Sequence, residues 1–235
     1  YGTNGFYLPF KQDYTVEGFS TVTYRGTGVA GTYTGGVGFQ SDMTWVKSRT
    51  TTENHSLYDA VRGGGKTIYP NLTYAENSGN LLTFTTDGFT QNTTNNNASG
   101  SNYVAWNWDM GGSNATNTAG SINSTVRANA SYGQSIVSYT GTGSNATVGH
   151  GLSSAPEMII AKDRDGDNSW FVQTSTTGAS DYLLLNGSNA TTTNSTVWNS
   201  TAPSSTLFSV GSNSAANQSS RKFIAYCFHS VTGYS

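Results

Sequence analysis

Charge is scarce in this sequence. Asp, Glu, Lys and Arg make up 10% of 235 residues, against about 25% in an average soluble domain. The formal net charge is only −2. Without a basic excess there is no electrostatic footprint for nucleic acid or an anionic membrane surface. Cysteine occurs once, at Cys227. That excludes a disulfide framework within these residues and reads as a buried, inert thiol in a strand. No apolar run approaches the length of a membrane-spanning helix, so no membrane insertion is expected. No window shows a convincing helical period. The three histidines, His55, His150 and His229, are scattered. There is no G-x-S-x-G elbow to present a nucleophile and no His/Cys spacing for zinc. No catalytic residue and no cofactor is assigned.

What replaces the missing charge is Ser, Thr, Asn and Gly, with aromatics at 12%. Disorder usually combines low hydrophobicity with high net charge and few aromatics, so an ordered β protein with uncharged polar loops is the better reading. The organising feature is a duplication. GFSTVTYRGTG (Gly18 to Gly28) and GQSIVSYTGTG (Gly133 to Gly143) share Gly-x-Ser-x-Val-x-Tyr-x-Gly-Thr-Gly at an offset of 115. Alternation followed by Gly-Thr-Gly describes a half-buried strand entering a turn. Val22 and Tyr24 share one face of it, as do Val137 and Tyr139. Downstream, Asp42-Met43 with Lys47 and Arg49 corresponds to Glu157-Met158 with Lys162 and Arg164, and YVAWNWD (Tyr103 to Asp109) corresponds to FIAYCFH (Phe223 to His229).

The pattern predicts an all-β fold of two tandem antiparallel β-sandwich, jelly-roll-like repeat domains. They span residues 18–110 and 133–231, joined by an Asn/Ser/Thr-rich linker at 111–132 whose only aliphatic anchors are Ile122 and Val126. Residues 1–17, with Phe6, Tyr7, Leu8 and Phe10, read as the end of an upstream module. Residues 232–235 read as the start of a possible third repeat, and the expectation is therefore a segment of a longer polypeptide. In the closing strands, the stripes Val104, Trp106, Trp108 and Ile224, Tyr226, Phe228 are expected to face the domain cores. Asp87-Gly88 is a tight-turn signal between two apolar stretches.

Three features bear on chemistry. AVRGGGKT (Ala60 to Thr67) loosely fits a phosphate loop, but Ile68-Tyr69-Pro70 follows where a helix is required, so a glycine turn is expected. Asp163, Asp165 and Asp167 alternate like the opening of a calcium loop, a weak metal candidate in what also reads as an Asp-Gly hairpin. Asp59, Arg62 and Asp87 form the obvious polar group in the first repeat. Asp59 and Arg62 fall on Thr174 and Thr177 in the second, so a local Asp59–Arg62 ion pair is preferred to a duplicated catalytic set. Asn-x-Ser/Thr occurs 13 times, against roughly 6 for random placement of this composition. Either glycans are attached, with Asn71, Asn114, Asn129, Asn145, Asn189 and Asn199 as acceptors, or polar duplicated turns generate the motif. The second reading is preferred.

Several strings resemble a repeat family in tail-fibre and virion proteins of marine tailed bacteriophages: NGFYLPF (Asn4 to Phe10), SLYDAVRG (Ser56 to Gly63), YVAWNW (Tyr103 to Trp108), VSYTGTGSNATVGHGL (Val137 to Leu152), APEMIIAK (Ala155 to Lys162), WNSTAPSS (Trp198 to Ser205) and FIAYCF (Phe223 to Phe228). The resemblance implies a non-enzymatic virion appendage module of β-sandwich repeats, and it brings no functional residues with it. Expected partners are other appendage proteins, copies of the chain itself, and a host-surface glycan or protein. The alternatives are a glycosylated cell-surface filament or adhesin, and a glycan-active enzyme module, whose paired carboxylates no sequence spacing reveals.

Overall fold

A computed structural model describes residues 18–79 and 81–234. The upstream strand expected within residues 1–17 lies outside the described residues, as does Ser235. The fold is all-β, as the alternating patterns predict. The first unit holds β1 (Phe19–Arg25), β2 (Thr32–Thr34), β3 (Met43–Ser48), β4 (Ser56–Asp59), β5 (Lys66–Thr67), β6 (Asn77–Ser78), β7 (Leu82–Thr85), β8 (Gly88–Gln91) and β9 (Asn102–Trp108). The second holds β10 (Ala115–Asn117), β11 (Ser124–Asn129), β12 (Gln134–Thr140), β13 (Ala146–Gly149), β14 (Met158–Asp163), β15 (Phe171–Thr174), β16 (Asp181–Leu184), β17 (Thr192–Thr193), β18 (Leu207–Val210) and β19 (Lys222–Phe228). Two single-turn helices, Ser195–Trp198 and Ser214–Asn217, are capped by the side chains of Asn194 and Asn213. Four residues are too few to leave a period in the sequence.

The duplication in the sequence is a duplication of hydrogen bonds. The central strand β9 lies between β1 and β3, as β19 lies between β12 and β14, and every pairing is antiparallel. Val22 and Val46 both sit opposite Ala105, and Val137 and Ala161 both sit opposite Ala225. β2 pairs with β8 across the first unit and β13 with β18 across the second. The shared tyrosine does the same work twice. The Tyr24 hydroxyl donates to the Asn96 carbonyl at 2.8 Å while its ring stacks on Tyr103 at 5.2 Å. Tyr139 donates to the Ala216 carbonyl at 3.0 Å and stacks on Phe223 at 5.2 Å.

The Gly-Thr-Gly ending is explained by what it meets. Gly28 and Gly143 take φ of 73° and 75°, a region that costs an L side chain energy but not glycine. A Cβ on Gly26 or Gly141 would sit 2.2 Å from the Ala98 carbonyl or 2.3 Å from the Gln218 carbonyl. Fully buried Asn97 and Asn217 hold this turn shut. Each accepts from the threonine N–H at 2.9 Å, and each amide donates to a carbonyl one turn on, at Val29 or Ser144. Asn217→Ala and Asn97→Ala are each expected to destabilise by about 1–3 kcal/mol, because each removes the hydrogen bonds by which a fully buried side chain holds the turn. Urea unfolding of the two variants checks this; a loss at one site only would show that the turns are not equivalent.

Each unit has its own core between a larger and a smaller sheet. In the first, Val46, Tyr58, Leu82, Phe89, Tyr103 and Ala105 cluster with Val22 and Tyr24. In the second, Val137, Tyr139, Val148, Ile159, Ala161, Phe208, Phe223, Ala225 and Cys227 do so. Val22 with Tyr24 and Val137 with Tyr139 therefore face inward as the alternation predicts. The closing strands are the other way round from the expectation. Tyr103 and Ala105, and Phe223, Ala225 and Cys227, line the unit cores, while Trp106, Trp108, Ile224, Tyr226 and Phe228 lie on the opposite face. Both faces of these strands are apolar because Ile224, Tyr226, Phe228 and Trp108 on the second face pack in the cluster between the units, so period two does not reveal which face is the core. Burial pushes the Cys227 thiol up to about 12, which keeps it protonated and unreactive.

Residues 111–132 do not form a linker. They contribute β10 and β11, and β11 pairs along its length with the edge of β12. Ile122 and Val126 are both buried in the second core. A polar stretch with two anchors becomes strand here because a neighbouring edge offers a row of unpaired backbone groups. The second unit's main sheet thereby reaches eight strands, ordered β10-β11-β12-β19-β14-β15-β16-β17, while the first unit's stays at four, ordered β1-β9-β3-β4.

Candidate functional site

The residues with the most chemical potential gather where the two units meet. Asp59, at the end of β4, is fully buried, and its carboxylate accepts from Arg62 Nε at 2.5 Å and from the Arg62 backbone N–H at 2.8 Å. The expected local pair thus forms, but it belongs to something larger. The Tyr226 hydroxyl, from β19 of the other unit, donates to Asp59 Oδ2 at 2.7 Å. Arg62 also donates to the Leu57 carbonyl and reaches Glu76 Oε2 at 3.2 Å. Glu76 is clasped from across the junction by Arg164, through Nε at 2.9 Å and Nη2 at 3.0 Å, while the Glu76 backbone N–H donates to the Arg164 carbonyl.

The titration behaviour follows from this packing. Burial alone would push the Glu76 carboxyl up, but the Arg164 hydrogen bonds and the charges of Arg62, Arg164 and Lys66 outweigh it and hold it below its ordinary value. Burial opposes charge on Arg62 as well, yet Asp59 keeps it firmly protonated. Burial drives the Tyr226 phenol well above its ordinary range, so it remains a donor to Asp59.

Apolar groups surround these charges. Met43, Leu57, Ile68 and Met110 from the first unit pack with Ile136, Trp170, Ile224 and Tyr226 from the second. Trp170 is fully buried, and its indole N–H is shared between the carbonyls of Tyr69 and Leu72 at 3.0 and 3.1 Å. A second ionic link joins Arg127 on β11 to Asp42 beside β3. Burial raises the Asp42 carboxyl despite Arg127 and the Met110 N–H, which also bonds it.

The other predicted sites resolve into structural roles. Asp163, Asp165 and Asp167 do not converge. Asp163 accepts from the Asp165 N–H, Asn168 and Arg221; Asp165 accepts from the Lys222 N–H; Asp167 accepts from the Ala75 N–H across the junction. Among the described residues no group of three or more His, Cys, Asp or Glu is placed to hold a metal ion. A cation does sit in this loop: the Lys162 ammonium, bonded to the carbonyls of Asp163 and Gly166. Lys47 makes the same clamp in the first unit, to the carbonyls of Ser48 and Thr51. That loop has Ser48 where the second has Asp163, so the clamp is a repeat feature that does not depend on carboxylates. AVRGGGKT is a turn between β4 and β5 with no helix after it. Asp87 closes the β7–β8 hairpin and accepts from the N–H groups of Gly36 and Gly38, away from the Asp59 group.

Of the acceptor asparagines, Asn71, Asn114, Asn145 and Asn189 are exposed, while Asn129 and Asn199 are half-buried. Asn71 and Asn114 are engaged with His55 and Arg127. Two further sequons, at Asn97 and Asn217, have fully buried side chains that hold the duplicated turns. There the motif has a structural origin.

Sequence reasoning missed Glu76, Arg164, Trp170 and Tyr226 as members of one site. One signal was available. Asp59 and Arg62 break the repeat, and they do so because the junction needs them on one side only. Arg49, which matches Arg164, stays exposed.

Beside the ionic group the junction opens into a cavity of about 970 Å³. Phe19, Trp45 and Trp108 line it from the first unit, and Met158, Leu185 and Phe228 from the second, with Tyr132 and Tyr234 at the wall. Phe19 and Trp108 rings lie 5.0 Å apart, as do Tyr132 and Tyr234.

Fold and junction together define an all-β protein of two layered units joined through a buried ionic and aromatic seam. Residues 15–235 match the model of the family described as a domain of unknown function, DUF7483, and the chain belongs to that family. The match takes in both units and the seam between them. No curated protein and no solved structure gives a match. No helix among the described residues is long and apolar enough to cross a membrane.

His150 supplies a test of the fold under acid. It is fully buried, with its Nε2 facing the Ser204 carbonyl and its Nδ1 accepting from the Leu152 N–H. Burial lowers its pKa from the ordinary 6.5, more than the Ser204 contact raises it. The unfolded chain therefore binds a proton before the folded one does, and stability falls as pH drops below about 6.5. Urea midpoints at pH 7.5 and 5.5 are expected to differ for the native chain and to differ less for His150→Gln. An unchanged difference would remove His150 from the account.

Proposed function

We propose that the chain is a non-catalytic structural and host-surface-recognition module of a phage tail fibre or related virion appendage. The observation that supports this reading best is the use made of the buried charges. Asp59, Arg62 and Glu76 of the first unit form linked ion pairs, and Arg164 of the second closes them across the junction, which joins two repeats into one mechanical piece and leaves none of the four free for a reaction. Recognition then falls to exposed polar loop tips on a rigid scaffold, with a host-surface glycan or protein as ligand. Other appendage proteins, or copies of this chain, are the structural partners, and the location is the virion.

Mass spectrometry of the native assembly tests this. Peptides of the chain co-purifying with capsid proteins, with bare Asn side chains, are the expected result. Hexose-bearing Asn71, Asn114, Asn145 or Asn189 in material without capsid proteins would replace the proposal with a cell-surface filament. Turnover of host polysaccharide by the purified chain would replace it with a glycan-active enzyme.

A further inference from the structure

A smaller pocket of about 270 Å³ opens on the second unit's main sheet. Strand register builds it. Thr125 on β11 sits opposite Ser138 on β12, and Thr140 sits opposite Lys222 on β19. Side chains alternate along a strand and directly opposite residues share a face. These four, and Asn123 two residues before Thr125, therefore belong to one face, and all five line the pocket. Asn123, Thr125, Thr140 and Lys222 are exposed. Arg164 lines it as well.

Every one of these side chains can donate a hydrogen bond, and no carboxylate is among the lining residues. Arg164 is only 8% exposed. Glu76 holds it through Nε and Nη2, and its Nη1 donates to Ser138 Oγ at 3.1 Å, which sets the guanidinium at the pocket wall. A guanidinium carries more N–H groups than these three bonds use. Positive charge is also left over. Arg62, Lys66 and Arg164 share Asp59 and Glu76, three cations on two carboxylates. Lys222 makes no ion pair among the described residues, and Asp165 accepts from its backbone N–H. The first unit has Asn102 where the second has Lys222, and no described strand stands beside β1 as β11 stands beside β12.

We propose that this pocket binds the oxyanion of an acidic saccharide, either a uronate carboxylate or a sulfate or phosphate ester. Arg164 and Lys222 supply the opposing charge, while the hydroxyls of Thr125 and Thr140 and the Asn123 amide donate to the oxygens. Hydrogen bonds between ionised partners are roughly twice as strong as neutral ones. Glu76 already holds Arg164 in place, so little side-chain freedom is lost there on binding. The volume lies just under the roughly 300 Å³ at which small-molecule sites begin, room for one charged group and the ring that bears it. The oxyanion follows from the pocket alone; a saccharide as its carrier rests on the host-recognition reading above.

Titration of the full chain with glucuronate, a hexose phosphate, glucose and inorganic phosphate, followed by amide NMR signals, tests this. One or both of the charged sugars are expected to shift the signals of Thr125, Ser138 and Thr140, and glucose is not. Lys222→Gln is expected to weaken that binding by roughly tenfold, the loss of one hydrogen bond to a charged group. Arg25→Gln removes an exposed cation from the first unit and is expected to leave it unchanged. Thr125→Val keeps every charge and is expected to weaken binding about threefold. Equal weakening by Lys222→Gln and Arg25→Gln, or no response to any of the anions, would overturn the site. Inorganic phosphate binding as tightly as the better of the two charged sugars would overturn the saccharide and leave a site for the free anion. Co-purification with capsid proteins, which decides the recognition reading, is independent of all these results.

Discussion

Asp59→Ala is expected to destabilise the protein by about 3–5 kcal/mol, the usual effect of removing one partner from a buried ion pair. The cost lies less in the lost attraction than in what remains. Arg62 stays charged, fully buried and without its nearest acceptor, and the Tyr226 hydroxyl loses the carboxylate it donates to. Glu76 still faces Arg62 at 3.2 Å, which keeps the loss from being larger. The double variant Asp59→Leu/Arg62→Met removes both charges together and is expected to recover most of the stability, because apolar replacements often match a buried pair. Urea unfolding followed by circular dichroism measures both. A single variant costing less than about 1 kcal/mol would mean that water reaches the network and that the seam is not sealed.

The second large effect is expected at Trp170. Trp170→Ala removes a fully buried ring from the seam and should cost about 3–5 kcal/mol. Two causes add: the cavity, and the carbonyls of Tyr69 and Leu72 that share its N–H. Trp170→Phe separates them, since it keeps most of the packing and loses the hydrogen bond, for about 1 kcal/mol. Because the ring comes from one unit and both carbonyls from the other, Trp170→Ala is also expected to split one unfolding transition into two. Retention of a single transition with the same steepness would show that the ionic group alone couples the units.

Much of the strand content was legible because its causes are local. Alternation, Gly-Thr-Gly endings and the Asp87-Gly88 turn specify backbone conformation within a few residues. The duplication was legible because both copies keep the same turn, with Asn97 and Asn217 bonded to it from 70 to 75 residues further along the chain. The site was legible only in fragments. Asp59 and Arg62 stood out as a pair, but Glu76, Arg164 and Tyr226 had no local pattern joining them. The carboxylates at 163, 165 and 167 had a local pattern and serve separate partners.

What the sequence by itself determined is most of the strands within the two repeats, their turns and the fact of repetition, all matters of neighbouring φ/ψ and period. Tertiary structure decided the rest. It turned residues 111–132 into strands by offering them the edge of β12. It chose which apolar face of β9 and β19 became a unit core and which became the seam. It made a repeat-breaking Asp–Arg pair the centre of a five-residue network drawn from both units. Each of these depends on surfaces brought together from positions far apart in the chain, and the free energy of burying them belongs to the assembled pair rather than to any segment.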